Sequence, residues 1–212
     1  MWVDFHVHTR WSHDSMSSPR SIVRAAMKRG LSAIAITDHN EIEGAYEVLE
    51  EARRLSEEFY VIVGEEIKTV KGDLTGLYLT EKIPKGLSVE ETIDLIREQG
   101  GIIVVPHPFD RRWRGALRDY TFKIADKVDF IEVVNGRTPR WNNEKAKQFA
   151  KTWGIPGIGG SDAHSSAEVG KVRTLVSELR NGKIVPVKIE EKAWPPILFG
   201  VVYSFLSKVK RL

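Results

Sequence analysis

Cysteine is absent from this 212-residue chain. That excludes disulfides, thiolate metal sites and a cysteine nucleophile, and it is compatible with a cytoplasmic protein. Net charge is nearly absent too: the formal balance is +3, so the field of the whole chain demands no nucleic-acid partner. No apolar run reaches the roughly 20 residues that a membrane-spanning helix needs. The longest, Ala193 to Leu206 (AWPPILFGVVYSFL), precedes Lys208, Lys210 and Arg211. It reads as a C-terminal helix docked on the body of the protein or on a second copy of the chain. The alternative is a peripheral membrane anchor with a basic flank. Met1 to His8 leads straight into candidate site residues, and no signal peptide is expected there. Repeats, linkers and low-complexity tracts are lacking as well.

Apolar runs alternate with amphipathic, charged stretches, the pattern of a parallel sheet or barrel. Strands are expected at Trp2 to Val7, Leu31 to Thr37, Phe59 to Val63, Ile102 to Val105 and Val128 to Val134. Leu74 to Leu79 reads as a short extra strand, Ile155 to Gly160 leads into the last motif, and Val172 to Val176 reads as a final strand. A helix should start at Ser18-Pro19, with Ser18 as N-cap, and run to about Arg29 before Gly30. Ser88-Val-Glu-Glu91 is a capping box for a helix to Gln99. Further helices are expected over Ile42 to Glu58, Thr121 to Asp126 and Asn143 to Trp153. One α/β domain over residues 1–181 follows, with an apolar and basic extension over 182–212.

Five of the six histidines sit where these apolar runs end: His6-Val7-His8, Asp38-His39, His107 and Asp162-Ala163-His164, with Glu66 at a further strand end. His6 and His8 are two apart on a strand, so they face one side and can share a metal. Asp38 and His39 diverge, so one can bind and the other orient a ligand. Glu65 and Glu66 diverge likewise, and one of them reads as a surface charge. Pro106 and Pro108 preset the direction of His107. Each element alone also fits a packed or solvated side chain; together they point to a multi-metal hydrolase. Imidazole and carboxylate donors suit Zn, Mn, Fe and related ions.

These motifs resemble the PHP (polymerase and histidinol phosphatase) domain family. Asp4-Phe-His6-Val-His8-Thr9, Thr37-Asp38-His39, Gly64-Glu65-Glu66, His107-Pro108 and Ser161-Asp162-Ala163-His164 match that family's motifs in order. The resemblance implies a distorted (β/α)7 TIM-like barrel and two or three divalent metal ions (Mn, Zn or Fe). It implies that His6, His8, Glu66 and Asp162 surround one metal, that Glu66 bridges to a second with His107, and that His39 and His164 take a third. Two departures stand out. Asp73 occupies a position where many members carry histidine, and either serves as a ligand or is a turn residue. Ser12-His13-Asp14-Ser15 replaces Ser-Asp-Gly and offers Asp14, or else His13, to the third metal.

Such a centre suits phosphoester hydrolysis by a metal-activated hydroxide. His39 or His164 is the candidate proton donor to the leaving oxygen, and Asp38 the residue that orients a histidine. Arg10, Asn135 and Arg137 are candidates for binding phosphate. The expected substrate is a phosphomonoester or a nucleotide end. Arg111-Arg112-Trp113-Arg114 keeps open a nuclease acting on single strands. A metal-stabilised scaffold protein and a metal-dependent amide hydrolase are the other readings.

Overall fold

A computed structural model describes residues 1–110, 112, 115–180 and 183–192. The seven strands β1 (Trp2–Val7), β2 (Ala33–Ile36), β3 (Tyr60–Lys68), β4 (Asp73–Leu77), β5 (Ile102–Val105), β6 (Phe130–Asn135) and β7 (Gly157–Gly160) stand side by side in chain order. Their runs are buried on both faces, as β2 (AIAI) and β5 (IIVV) illustrate, which is why they read as continuous apolar stretches. The helices α1 (Pro19–Lys28), α2 (Glu43–Leu55), α3 (Val89–Glu98) and α4 (Arg140–Trp153) complete the α/β pattern. Ser18 caps α1 by accepting from the Ser21 amide, and the Ser88–Glu91 capping box of α3 is formed on both sides.

The sheet curls until its two ends nearly meet. After β7, Ala163 pairs with Val7 in parallel, and its carbonyl accepts from the His8 amide at 2.9 Å. The strand β8 (Val172–Arg180) runs antiparallel to β1, and Thr174 Oγ1 both donates to and accepts from the Gly159 backbone on β7. The architecture is therefore a TIM-like barrel, but it departs from sevenfold β/α alternation. No helix separates β3 from β4: they form a hairpin closed by the Thr69–Gly72 turn, so β4 runs antiparallel to both neighbours. Between β5 and β6 the expected helix is a 3₁₀ segment over Arg118–Lys123. β9 (Lys183–Glu191) continues the hairpin from β8 at the sheet edge. It carries Pro186 beside a register shift, where a missing N–H is tolerated and where proline hides a strand from sequence inspection.

Parallel order brings the C-terminal ends of β1, β2, β3, β5, β6 and β7 to one mouth. Because β4 is reversed, its first residue, Asp73, arrives at that same mouth opposite Lys68. No helix among the described residues is long and apolar enough to cross a membrane. Ala193 to Leu206, the apolar part of the expected extension, lies outside the described residues, as do Arg111, Trp113 and Arg114.

Glu65 is not a surface charge. It is fully buried on the opposite face from Glu66 and accepts from the Ile83 amide at 2.9 Å. Burial pushes its carboxyl up to about 7 from an ordinary 4.5. The folded value lies above the unfolded one, so its contribution to stability is complete below about pH 4.5 and is lost as pH rises to about 7. Glu65→Gln keeps an acceptor for Ile83 and removes that loss. Urea unfolding is expected to show the variant gaining on the order of 2 kcal/mol over wild type at pH 8 and much less at pH 5. Equal differences at both pH values would rule this account out.

Candidate metal centre

Four side-chain groups at the barrel mouth bring donor atoms within 4.8 Å of one another: His6–His8–Asp162, His6–Glu66–His107, His8–His39–His164 and His13–Asp14–His39. The local reasons are legible. His6 and His8 lie two apart across the end of β1, and their Nε2 atoms come to 3.0 Å. His39 is drawn beside Glu66 because the β2–β3 ladder continues past β2, with Glu66 N donating to Asp38 O and Asn40 N donating to Glu66 O. His107 is held with a positive φ of 30° between two prolines. Asp162 likewise stands at φ 54°, two residues past Gly160, the last residue of β7.

Glu66 sits at the centre. Its carboxylate lies 2.9 Å from His107 Nε2, 3.1 Å from His39 Nδ1, 3.4 Å from His6 Nε2 and 3.5 Å from His8 Nε2. Burial favours its neutral form, but the facing His39 and His6 charges hold it well below the usual carboxylate range. Asp162 is held low in the same way, chiefly by the His6 charge. Burial, reinforced by the charges of His164 and His39, pushes His8 down to about 3, so this imidazole is neutral.

The tautomers follow from the partners on the far side of each ring. His164 Nδ1 faces the Asp162 carbonyl at 2.9 Å, and His6 Nδ1 faces the Glu132 carboxylate at 3.1 Å. Both partners only accept, so both Nδ1 atoms carry the proton. His8 Nδ1 faces Ser12 Oγ at 2.9 Å, and that hydroxyl gives its own proton to Asp38 at 2.6 Å. His8 Nδ1 is therefore a donor as well. With each Nδ1 bonded outward, the Nε2 atoms of His6, His8 and His164 point into a site lined by carboxylates, a donor set that fits divalent cations once any Nε2 proton is displaced by the metal.

The remaining expected residues divide. Asp14 reaches both His164, at 3.3 Å, and His39, at 3.6 Å, whereas His13 is exposed with its ring 5.2 Å from that of His39. Asp73 lines the same cavity but belongs to none of the four donor groups and is paired with Lys68 at 2.9 Å. Asp38 does not line the cavity. Its carboxylate accepts from Thr9 N, Thr9 Oγ1 and Ser12 Oγ, and it reaches the site only through Ser12, which also accepts from the His39 amide. Gly44 leaves the room for this arrangement, since a Cβ there would collide with the Asp38 carboxylate and the Thr9 hydroxyl.

Arg137 lines the cavity, which measures about 620 Å³, together with Lys68, Lys85 and Arg112. Arg10 does not. It is exposed and paired with Glu47 at 2.8 Å. Asn135 is buried, and its side chain donates to Glu132 and Asp162 while accepting from the Arg137 amide. Sequence reasoning missed Glu132, a lone carboxylate inside the apolar run of β6, and the two cavity lysines. The interruption of FIEVVN by one acid was the available signal for Glu132.

Ser12→Ala removes one of the three donors to Asp38 and strands two donors, His8 Nδ1 and the His39 amide. It is expected to lower the unfolding free energy of the metal-free protein by about 1–3 kcal/mol in denaturant titration. A change below about 0.5 kcal/mol would mean that the Ser12 hydroxyl is dispensable.

Residues 4–136 match the family model of the PHP domain, and residues 140–183 match that of the PHP-associated region. An uncharacterized protein of Methanocaldococcus jannaschii is 42% identical over 147 residues, covering 64% of this chain and 82% of its own length. Among solved structures, PsfC from Pseudomonas syringae aligns with a TM-score of 0.70 at 20% identity, covering 100% of this chain and 98% of that one. A two-domain protein from Bacteroides vulgatus, described as containing a predicted PHP-like metal-dependent phosphoesterase, aligns with a TM-score of 0.69 at 20% identity. That alignment covers 84% of this chain and 59% of the two-domain protein. The chain belongs to the PHP domain family.

Proposed function

We propose that the protein is a metal-dependent phosphoesterase that hydrolyses a small phosphomonoester or a nucleotide end. What supports it is one juxtaposition: Lys68, Lys85, Arg112 and Arg137 line the same cavity as the histidine and carboxylate donors. Cations around an acidic donor cluster suit a substrate that carries negative charge to a divalent centre. His6, His8, Glu66 and Asp162 would hold one cation and His107 a second, with Glu66 shared. His39, His164 and Asp14 would hold a third. The oxygen and nitrogen donors accept Mn, Zn or Fe. When bound, such ions neutralise phosphate oxygens and acidify water at neutral pH.

The chain's own residues do the rest. Arg137, presented at the end of β6 with its amide tied to Asn135, offers a guanidinium fork to phosphate oxygens. Arg112 is braced by Asp110 and by the Arg137 carbonyl, and Lys68 and Lys85 add positive charge on the cavity wall. With the third position unfilled, His39, or His164 protonated on Nε2, would hand a proton to the departing oxygen. Asp38 acts at a distance, by fixing Ser12 and through it His8.

The test is hydrolysis of p-nitrophenyl phosphate with added Mn, against its bis-ester. Wild type should release phosphate from the monoester, and His8→Ala should abolish release while leaving the fold intact. Arg137→Ala should lower kcat/KM about 10- to 100-fold, the equivalent of losing one charge-assisted contact. Arg10→Ala should leave it unchanged. Undiminished activity in His8→Ala would sink the metal-centre reading. Preference for the bis-ester with steep salt dependence would move the nuclease reading ahead.

A further inference from the structure

Glu132 is a buried carboxylate that the chemistry above does not use. It projects from β6 and is 3% exposed. One oxygen, Oε1, faces His6 Nδ1 at 3.1 Å. The other, Oε2, accepts from the His107 amide at 2.8 Å and from Asn135 Nδ2 at 3.0 Å. Asn135 Nδ2 in turn reaches Asp162 Oδ2 at 3.2 Å. One carboxylate thus touches, directly or through one amide, groups presented by β1, β5 and β7.

We propose that Glu132 is a positioning residue, whose carboxylate aims His6 and His107 from two separate strands at one point beside Glu66. The inference rests on the reading of that point as a metal centre. Three observations carry it. First, every group facing Glu132 is a donor, so only a group with two accepting oxygens satisfies them all. Accepting from His6 Nδ1 turns Nε2 of that ring toward Glu66 and Asp162, as the nitrogen a metal would take in exchange for its proton. Second, His107 has a positive φ, which non-glycine residues adopt at an energetic penalty, and the bond from its amide to Glu132 opposes relaxation of that backbone. Third, the neighbouring strand is cleared for the contact. A Cβ on Gly160 would collide with His6 Cβ and come within 2.9 Å of Glu132 Oε1.

Glutamine tests this directly. Its oxygen can serve one side, but its NH2 then meets a donor whichever way the amide is turned. Zinc titration calorimetry of the full chain should show Glu132→Gln binding about 10- to 100-fold more weakly than wild type. The metal-free protein should stay folded and melt only a few degrees lower, the cost of one mispaired buried amide, because the ligands rather than the fold lose their aim. In the zinc-loaded wild type, the His6 Nδ1 proton should give a low-field exchangeable resonance that the variant shifts or loses. Glu132→Asp keeps the charge and withdraws it by one methylene, and it should weaken zinc binding too.

Wild-type affinity in either variant would overturn the proposal. So would a loss of metal-free stability large enough to unfold both, since Glu132 would then hold the barrel and not the ligands. A wild-type chain that takes up no zinc fails the metal-centre reading itself. Wild-type uptake with both variants unchanged fails only the role of Glu132.

Discussion

The carboxylate of Glu66 meets four imidazoles from three separate places in the chain, and the rest of the mouth is organised around that meeting. A buried carboxylate without partners would shed its charge, because transfer out of water penalises the ionised form by several kcal/mol. Here the surrounding histidines reverse that penalty. They can do so only if strands β1, β2, β3 and β5 deliver their ends to within a few ångströms of one another. The barrel supplies that delivery, and its irregularities, the reversed β4 and the bridge from Val7 to Ala163, leave the convergence intact.

Behind the inner donors stands a second set of groups that accept from the imidazoles. Glu132, the Asp162 carbonyl and Ser12 backed by Asp38 each take the proton on one Nδ1 and turn the opposite nitrogen inward. Orientation by outer acceptors is the usual means by which proteins fix imidazole ligands. The arrangement is dense here because the acceptors are shared. Ser12 also holds the His39 backbone, and Glu132 also holds the His107 backbone. Rigidity of the site is thereby tied to the backbone of the loops and not only to side-chain rotamers.

Both signs of charge share one cavity, where histidines and carboxylates stand beside Lys68, Lys85, Arg112 and Arg137. Several of these cations are themselves braced by acids, Lys68 by Asp73 and Arg112 by Asp110. A braced cation loses less side-chain entropy on gripping an anion than a free one does. The Lys68–Asp73 pair also gives Asp73 a role that does not require it to be a ligand.

The chain by itself determined the alternation of buried strands and amphipathic helices, the caps at Ser18 and Ser88, and the strand-end placement of His6, His8, His39, Glu66, His107, Asp162 and His164. These are local properties: periodicity, capping chemistry and motif spacing are written in consecutive residues. Tertiary structure decided what local pattern does not encode. It set Asp14 against both His164 and His39, buried Glu65 as well as Glu66, and turned Asp38 and Asn135 inward to hold other residues. It also left Arg10 outside the cavity while bringing in Lys68 and Lys85. Each of these outcomes depends on which side chains from distant segments compete for one buried volume. A carboxylate or guanidinium takes its role from the partners that volume supplies, and those partners are 20 to 160 residues away in sequence for pairs such as Ser12 with Asp38 and Asp4 with Ser161.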